Sequence, residues 1–130
     1  NEKMKKIGKV KTGKAFITKS YNLPSKYIIH TVGPIIYEKV SEENVEQLKN
    51  CYLNSLKLAK EKHIREIAFP CISTGEFRFP KDRACKIAIE TVKKYLVENA
   101  ESFDKVIFNV FTDEDYNIYL KILGDEYGRI

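Results

Sequence analysis

The segment over residues 64–80 constrains the fold more than any other part of the chain. Residues 64–72 are nearly continuous in apolar character after Glu66, which predicts a strand covered on both faces. The run ends at a Ser-Thr-Gly tripeptide, residues 73–75, and helical spacing begins just after Pro80. Loop amides that point outward, together with a helix dipole of roughly half a positive charge, make an anion site. The sequence therefore predicts a ligand that carries phosphate.

The bulk composition predicts one globular domain over residues 1–130. The chain is 43% apolar and 32% charged, which is typical of globular proteins. Much of the formal charge of +5 comes from six lysines between residues 3 and 14. We interpret residues 1–14 as a solvated, lysine-rich lead-in that is mostly loop, because no RNA-binding motif accompanies it. A basic RNA-binding module is the less favoured alternative, and its affinity would fall steeply with salt.

The cysteines and the hydropathy pattern predict a cytoplasmic protein. Cys51, Cys71 and Cys85 form no CxxC pair, and we interpret them as reduced thiols in the core or on a helix surface. Only His30 and His63 are available as histidine ligands, so no metal site is predicted from these residues. The sequence has no signal peptide and no run of 18 apolar residues, which argues against a membrane span.

Hydrophobic periodicity predicts four strands and three helices. The strands are expected over residues 15–21, 26–32, 64–72 and 105–111, with a turn at residues 22–25 that makes a hairpin of the first two. The helices are expected from an N-cap at Ser41 to about Lys62, from about Asp82, and over residues 113–123 with Gly124 as the stop. This order predicts an α/β layer fold with a right-handed crossover between the last two strands.

The ends of the predicted strands indicate where a ligand would bind. In open α/β sheets, ligands lie beyond the carboxyl ends of the strands. Those ends are followed here by residues 31–34, 73–79 and 111–113. We therefore expect these three loops to converge on one crevice.

Several short blocks resemble the macrodomain family, the ADP-ribose-binding and Appr-1''-p processing α/β/α module. The blocks cover about residues 10–123: Thr12-Gly13-Lys14-Ala15 with Ile17-Thr18, Tyr21-Asn22-Leu23-Pro24, residues 27–34, and Cys71-Ile72-Ser73-Thr74-Gly75. Residues 71–77 with Phe79-Pro80, and residues 106–111, most resemble the bacterial zinc-dependent protein-ADP-ribose hydrolases. The resemblance implies a three-layer α/β/α mixed sheet and either ADP-ribose or an ADP-ribosylated protein as the partner.

The chain departs from the family pattern at its start. Family members carry, ahead of the Thr12 block, an early strand, a central strand ending in Asn-Ala-Ala-Asn, and a glycine-rich or Cys/His-rich loop. That part supplies the catalytic Asn and Asp and any zinc ligands, and the 130 residues contain none of it. We therefore expect an N-terminally truncated sheet of about four strands, with no catalytic residue or metal ligand assigned and with zinc only in a segment outside this chain.

The resemblance leaves two functions open. The first is ADP-ribose recognition as part of a protein-ADP-ribose hydrolase, in which a water or zinc-bound water attacks the anomeric carbon. The second is a catalytically inactive fragment that acts as a binding or assembly module. In the second case an exposed sheet edge would favour a homodimer or a completing chain.

By resemblance, one loop wraps the diphosphate: Ser73, Thr74, Gly75, Glu76 and Phe77. Physically, Gly75 permits a positive φ and close backbone approach, and the two hydroxyls can donate. Phosphate repels the Glu76 carboxylate, so its backbone should matter more than its side chain. Phe77 would pack on the distal ribose. The structural alternatives are an ordinary strand-to-helix turn and, for Phe77, a lid over the core.

Four further residues are candidate ligand contacts. Phe111 would lie by the adenine ring, with core packing at the strand end as the alternative. Asn109 alternates with Phe111 and would face the same side. Gly33 belongs to the loop after the second strand. Arg78 either meets the ligand phosphate or points to solvent, and we favour solvent.

Other polar residues are better explained by structure than by chemistry. His30 lies among apolar neighbours and is interpreted as a hydrogen-bonded core histidine. His63 is placed at a helix C-terminus, where the dipole favours a surface imidazole. The acidic run over residues 113–115 suggests a metal site, but acidic residues also favour the start of a helix, and we prefer that interpretation.

Overall fold

The computed structural model describes residues 11–19 and 27–127, which contain four strands, three α-helices and a short 3-10 turn. In chain order the elements are β1 (Ala15–Lys19), β2 (Tyr27–Thr31), α1 (Glu42–Glu61), β3 (Glu66–Phe69), α2 (Lys81–Glu98), the 3-10 turn (Ala100–Ser102), β4 (Lys105–Phe108) and α3 (Asp113–Tyr127). The predicted number and order are confirmed. The predicted turn at residues 22–25 and the first ten residues of the lead-in lie outside the described residues.

The described strands form two pairs. β1 and β2 are antiparallel, with Ala15 opposite Thr31, which confirms the predicted hairpin pairing. β3 and β4 are parallel, with Glu66 opposite Lys105, and α2 supplies the crossover between them. No ladder joins β2 to β3, so these four strands make two small sheets instead of one.

Helix α1 begins and ends as the sequence predicts. Ser41 Oγ accepts a hydrogen bond from the Asn44 amide, and Asn44 Oδ1 accepts one from the Ser41 amide, both at 3.0 Å. This reciprocal capping satisfies two amides at the helix start. Past the C-terminal end, His63 is exposed and has a φ of 58°, the left-handed conformation that commonly closes a helix.

None of the described helices is long and apolar enough to cross a membrane.

The main core lies between the helices and one face of each small sheet. Its buried apolar residues come from α1, α2 and the strand ends, and include Leu48, Tyr52, Leu56, Phe69, Ala88 and Val92. Half-buried residues of both sheets pack against it, among them Ile29 of β2 and Ile67 of β3. The helices therefore hold together two strand pairs that share no ladder.

Three predicted boundaries are wrong. β3 is four residues long, and Glu66 and Ala68 are exposed, so it is not covered on both faces; in the described part of the chain no strand pairs with its second edge. β4 ends at Phe108 rather than at residue 111. α3 continues past Gly124 to Tyr127, because a glycine inside a helix costs only about 1 kcal/mol and does not stop it.

A second, smaller core joins α2 to α3. Cys85 and Ile89 of α2 pack with Tyr119 of α3, and Cys85 is only 1% exposed. Burial raises the pKa of the Cys85 thiol from its ordinary value of 9.0 to about 12, and it raises the pKa of Tyr119 as well. All three cysteines are free. The folded chain thus holds the Cys85 proton at a pH where the unfolded chain releases it.

We predict that stability falls with alkaline pH partly through Cys85. Above about pH 9 the unfolded state binds fewer protons than the native state, so the unfolding free energy decreases as pH rises. Each such group contributes about 1.4 kcal/mol per pH unit. Urea unfolding from about pH 8 to about pH 10.5 should show a loss that is smaller in Cys85→Ala by about 2 kcal/mol. Equal losses in both proteins would contradict the burial of an uncharged thiol.

Candidate functional site

The loop between β3 and α2 has a fixed backbone shape. Ser73 and Arg78 adopt left-handed conformations with φ values of 66° and 65°. The Phe79 amide donates to the Ser73 carbonyl at 2.8 Å, and the Arg78 amide donates to the Gly75 carbonyl at 3.1 Å. Phe79 is only 1% exposed and anchors the loop in the main core. The sequence analysis did not assign this anchoring role to Phe79. The only sequence signal for it was the pair of aromatic residues Phe77 and Phe79.

Gly75 does not have the predicted positive φ. The left-handed residues are Ser73 and Arg78 instead, where the chain leaves the β3 side and approaches α2. A Cβ added at Gly75 would meet no atom within 4 Å, because the residue is exposed at the tip of the loop. The glycine is thus not required by protein packing, and open space surrounds this part of the backbone.

The loop after β2 packs directly against this loop. The Ile36 amide donates to the Phe77 carbonyl at 2.8 Å. Gly33 is buried, and a Cβ there would overlap Ser73 Oγ and lie 2.7 Å from Ile72 Cγ2. This contact confirms that the loops at residues 31–34 and 73–79 converge, as predicted. Gly33 is needed because no side chain fits between the two backbones.

Polar groups without protein partners collect at this loop. Ser73 Oγ is buried and has no hydrogen-bond partner within the described ranges. The amides of Gly75, Glu76 and Phe77 donate to no other described residue. Thr74 is different, since its hydroxyl donates to the Cys71 carbonyl at 3.3 Å. Consecutive free amides form a concave donor surface that suits an anion.

Helix α2, which follows the loop, adds partial positive charge beside the free amides. α2 starts after Pro80 and has no side-chain hydrogen bond at its N-cap. Its first-turn amides and its dipole therefore present partial positive charge at this end. Glu76, whose side chain is exposed, is the one carboxylate within the loop.

A cavity of about 1400 Å³ opens beside the loop. One end is lined by five of the nine candidate ligand contacts: Gly33, Ser73, Gly75, Glu76 and Phe77. The cavity continues between β2 and β3, which line it along their whole lengths. The other four candidates, Thr74, Arg78, Asn109 and Phe111, do not line it. Arg78 is exposed, and its contact with ligand phosphate or with solvent stays a prediction.

The third predicted loop lies beside the end of β3. The Asn109 amide donates to the Phe69 carbonyl at 2.7 Å, which places the chain after β4 next to the candidate loop. Phe111 is 80% exposed, so the interpretation as core packing is wrong. Phe111 thus exposes a large aromatic ring to solvent two residues past Asn109.

The acidic run at the start of α3 is structural. Thr112 Oγ1 accepts a hydrogen bond from the Asp115 amide at 3.1 Å, and Lys81 Nζ lies 3.6 Å from carboxylate oxygens of both Glu114 and Asp115. The helix-start interpretation is confirmed, with Thr112 as a cap that sequence reasoning missed.

Within residues 11–19 and 27–127, no group of three or more His, Cys, Asp or Glu side chains is placed so that it could hold a metal ion. These residues do not fit a zinc site, and zinc in a segment outside the chain stays a prediction.

His30 is held within the first strand pair. Its Nε2 lies 2.9 Å from Thr18 Oγ1, and its ring lies 5.8 Å from that of Phe16. The predicted hydrogen bond is present, although the imidazole is half-buried instead of fully in the core. His30 also lines the cavity, on the β2 side and away from the loop.

Comparison with known proteins decides the family. The family model described as "Macro domain" matches residues 1–88. The chain belongs to the macrodomain family. It is 56% identical over 108 residues to a "Protein-ADP-ribose hydrolase" of Staphylococcus aureus (strain MRSA252), and 49% identical over 117 residues to human "ADP-ribose glycohydrolase MACROD2". These alignments cover 82% and 90% of this macrodomain.

A solved structure shares the fold. A single-residue variant of the Oceanobacillus iheyensis macrodomain, solved with ADPR, matches with a TM-score of 0.82 at 40% identity. The match covers 92% of this macrodomain and 63% of that chain. This macrodomain spans 40% of the staphylococcal relative and 28% of the human one. The fold is thereby shown to be that of a macrodomain, with three helices and a small mixed set of strands.

We predict that Gly33→Ala destabilises the site. Its Cβ would overlap Ser73 Oγ, and overpacking of this kind costs about 1–3 kcal/mol. Urea unfolding should show that loss, whereas Gly75→Ala, whose Cβ meets nothing, should change stability little. Adding Ser73→Gly should restore part of the loss, because it removes the obstructing hydroxyl and suits the left-handed backbone. Full stability of Gly33→Ala would contradict the contact.

Proposed function

We propose that this macrodomain recognises ADP-ribose and holds its diphosphate on the loop at residues 73–77. The observation that carries the proposal is the row of amides at Gly75, Glu76 and Phe77 that have no described protein partner, at one end of the cavity. A diphosphate offers only acceptor oxygens and negative charge. It is therefore the chemical complement of free amides beside an uncapped helix start.

The relatives support the same ligand class. The two matched relatives are named as enzymes that act on ADP-ribose or protein-ADP-ribose, and the matched structure was solved with ADPR. Because their names describe longer proteins, we transfer recognition of the ligand to this chain and treat cleavage separately.

The two ends of the ligand are assigned to two aromatic residues. Phe77 lies half-buried in the cavity lining, where its ring would pack on the distal ribose. Phe111, exposed beside the end of β3, would stack on the adenine. Asn109 and Arg78 would lie close to the ligand without entering the cavity. Aromatic stacking of this kind contributes about 1–3 kcal/mol per base.

Cleavage of the glycosidic bond is assigned to groups outside these 130 residues. The described residues group no metal ligands, and the loop carboxylate of Glu76 would be repelled by the bound diphosphate. The chain alone would then act as a binding module, in the cytoplasm, within a larger hydrolase activity. An inactive assembly module is the second candidate, favoured by the edges of β2 and β3 that pair with no strand among the described residues.

We predict that Gly75→Glu abolishes ADP-ribose binding without unfolding the chain. The new carboxylate has open space in the protein but would place charge against the diphosphate, which should weaken binding by more than roughly a hundredfold, so that the titration detects none. Calorimetric titration with ADP-ribose, and with AMP as the weaker ligand, measures this. Gly75→Ala is the matched control and should bind. Binding that survives Gly75→Glu would contradict the loop assignment, and a folded wild type that binds nothing would contradict the proposed function.

We also predict that Phe111→Ala weakens ADP-ribose binding through loss of stacking. The expected reduction is roughly tenfold, since the ring is exposed and its removal leaves the core intact. The same titration measures the change in affinity. Val97→Ala is the control, because Val97 is also an exposed apolar residue but lies near the C-terminal end of α2, and its removal should leave the affinity unchanged. Unchanged affinity in Phe111→Ala would remove this residue from the site.

A further inference from the structure

The chain between β2 and α1 carries two exposed apolar side chains beside the candidate site. We call residues 34–40 the rim loop. Ile35 is 42% exposed and Tyr37 is 83% exposed, whereas Ile36 between them is buried in the main core. Single exposed apolar residues are common on protein surfaces, so the position of these two decides what they can contact.

The rim loop is held in place on both sides of Tyr37. Ile36 is buried in the main core, and Val40 packs against the same core. The Ile36 amide donates to the Phe77 carbonyl at 2.8 Å. Consecutive Cα atoms are about 3.8 Å apart, so Ile35 and Tyr37 each lie one residue from the backbone that bonds to Phe77. The two exposed side chains therefore belong to the Phe77 end of the site.

The Phe77 end is also where a polypeptide joined to the ligand would leave the site. In an ADP-ribosylated protein the modified side chain is attached to the anomeric carbon of the distal ribose, which the proposed function places on Phe77. The adenine, assigned to Phe111, is at the opposite end of such a ligand. Residues that flank the modified side chain would therefore pass along the rim loop.

Charge does not favour one class of polypeptide at this rim. The charged residues of the rim loop are Glu38 and Lys39, one of each sign, and both are exposed. The neighbouring loop likewise carries one of each, Glu76 and Arg78, also exposed. Opposite charges that are close together and in water leave little net field at physiological salt. Selectivity must then come from apolar contact, which the two exposed apolar side chains of the rim loop offer.

We propose that Ile35 and Tyr37 bind the residues that flank the modified side chain of an ADP-ribosylated protein, and that they select apolar flanking residues over polar ones. The inference rests on the proposed function, because it needs ADP-ribose on the loop at residues 73–77. The tyrosine ring supplies apolar area while its hydroxyl stays in water. Covering about 50 Å² of a leucine side chain, at about 25 cal/mol per Å², corresponds to a preference of about eightfold.

The test compares three ligands by calorimetric titration of the whole 130-residue chain. They are free ADP-ribose and the capped peptides Ala-Leu-Ser-Leu-Ala and Ala-Gln-Ser-Gln-Ala, each with ADP-ribose on the serine hydroxyl. Leucine and glutamine are similar in size, so the peptides differ mainly in the polarity of the flanking residues. The leucine peptide should bind at least about fivefold more tightly than the other two ligands. The same peptide without ADP-ribose should show no detectable binding.

Two variants at one position locate the contact. Tyr37→Ala should remove most of the preference for the leucine peptide and leave the affinity for free ADP-ribose unchanged. Tyr37→Phe keeps the ring and should keep the preference. Because Tyr37 is 83% exposed, neither change should unfold the chain. Phe111→Ala should instead weaken binding of all three ligands by the same factor, since it acts on the adenine that they share.

The outcomes separate this inference from the proposed function. Binding of free ADP-ribose without a preference for the leucine peptide would overturn the inference alone, and so would a preference that survives Tyr37→Ala. A folded chain that binds none of the three ligands would contradict the proposed function and this inference with it. A dimer in sedimentation that Tyr37→Ala dissociates would also overturn the inference, by making a second copy of the chain the occupant of the rim loop.

Discussion

The packing of helix α1 across two separate strand pairs is the interaction on which the rest of the structure depends. On the hairpin side, the Cys51 thiol donates to the Val32 carbonyl at 3.3 Å, and Asn54 Nδ2 donates to the Gly13 carbonyl at 2.8 Å. On the other side, Tyr52 packs its ring 4.9 Å from that of Phe69 at the end of β3. Neighbouring residues of one helix therefore fix two sheets that have no ladder between them. Burial also raises the pKa of Tyr52 and Cys51, so neither group carries charge at this joint at neutral pH.

The candidate site follows from that geometry. Because α1 sets the ends of β2 and β3 side by side, Gly33 can contact Ser73, and Ile36 can bond to Phe77. The loop then keeps a left-handed Ser73, a non-glycine conformation that costs of order 1–3 kcal/mol and persists only when its surroundings over-determine it. Phe79, held in the main core, supplies part of that restraint. The free amides at the loop tip are thus held in place before any ligand arrives.

Local sequence signals predicted what local forces decide. The Ser41 cap, the helical spacing after it and the small-residue loop at residues 73–75 depend on neighbours within a few positions, and all three appear in the structure. What failed depends on distant contacts. The apolar run before Ser73 does not show that no described strand pairs with the second edge of β3. The tripeptide does not show that Ser73, which lies against Gly33, takes the left-handed backbone in place of Gly75. Roles of individual ligand contacts stay predictions, because side-chain position alone does not test binding.

Two sets of backbone groups have no described hydrogen-bond partner, one at the tip of the loop at residues 73–77 and one on β3, and they require different kinds of partner. Those at the loop tip are exposed and can hydrate, so leaving them free costs little and a diphosphate can exchange with water there. Those of Glu66 and Ala68 lie on the edge of β3 away from β4, beside a cavity that the half-buried side chains of Ile29 and Ile67 also line, so a partner there meets backbone groups next to apolar side chains. Filling the cavity would expel water from the space that adjoins the loop. Charge interactions strengthen as water leaves, so a ligand that fills the cavity beside the loop would strengthen its own phosphate contacts.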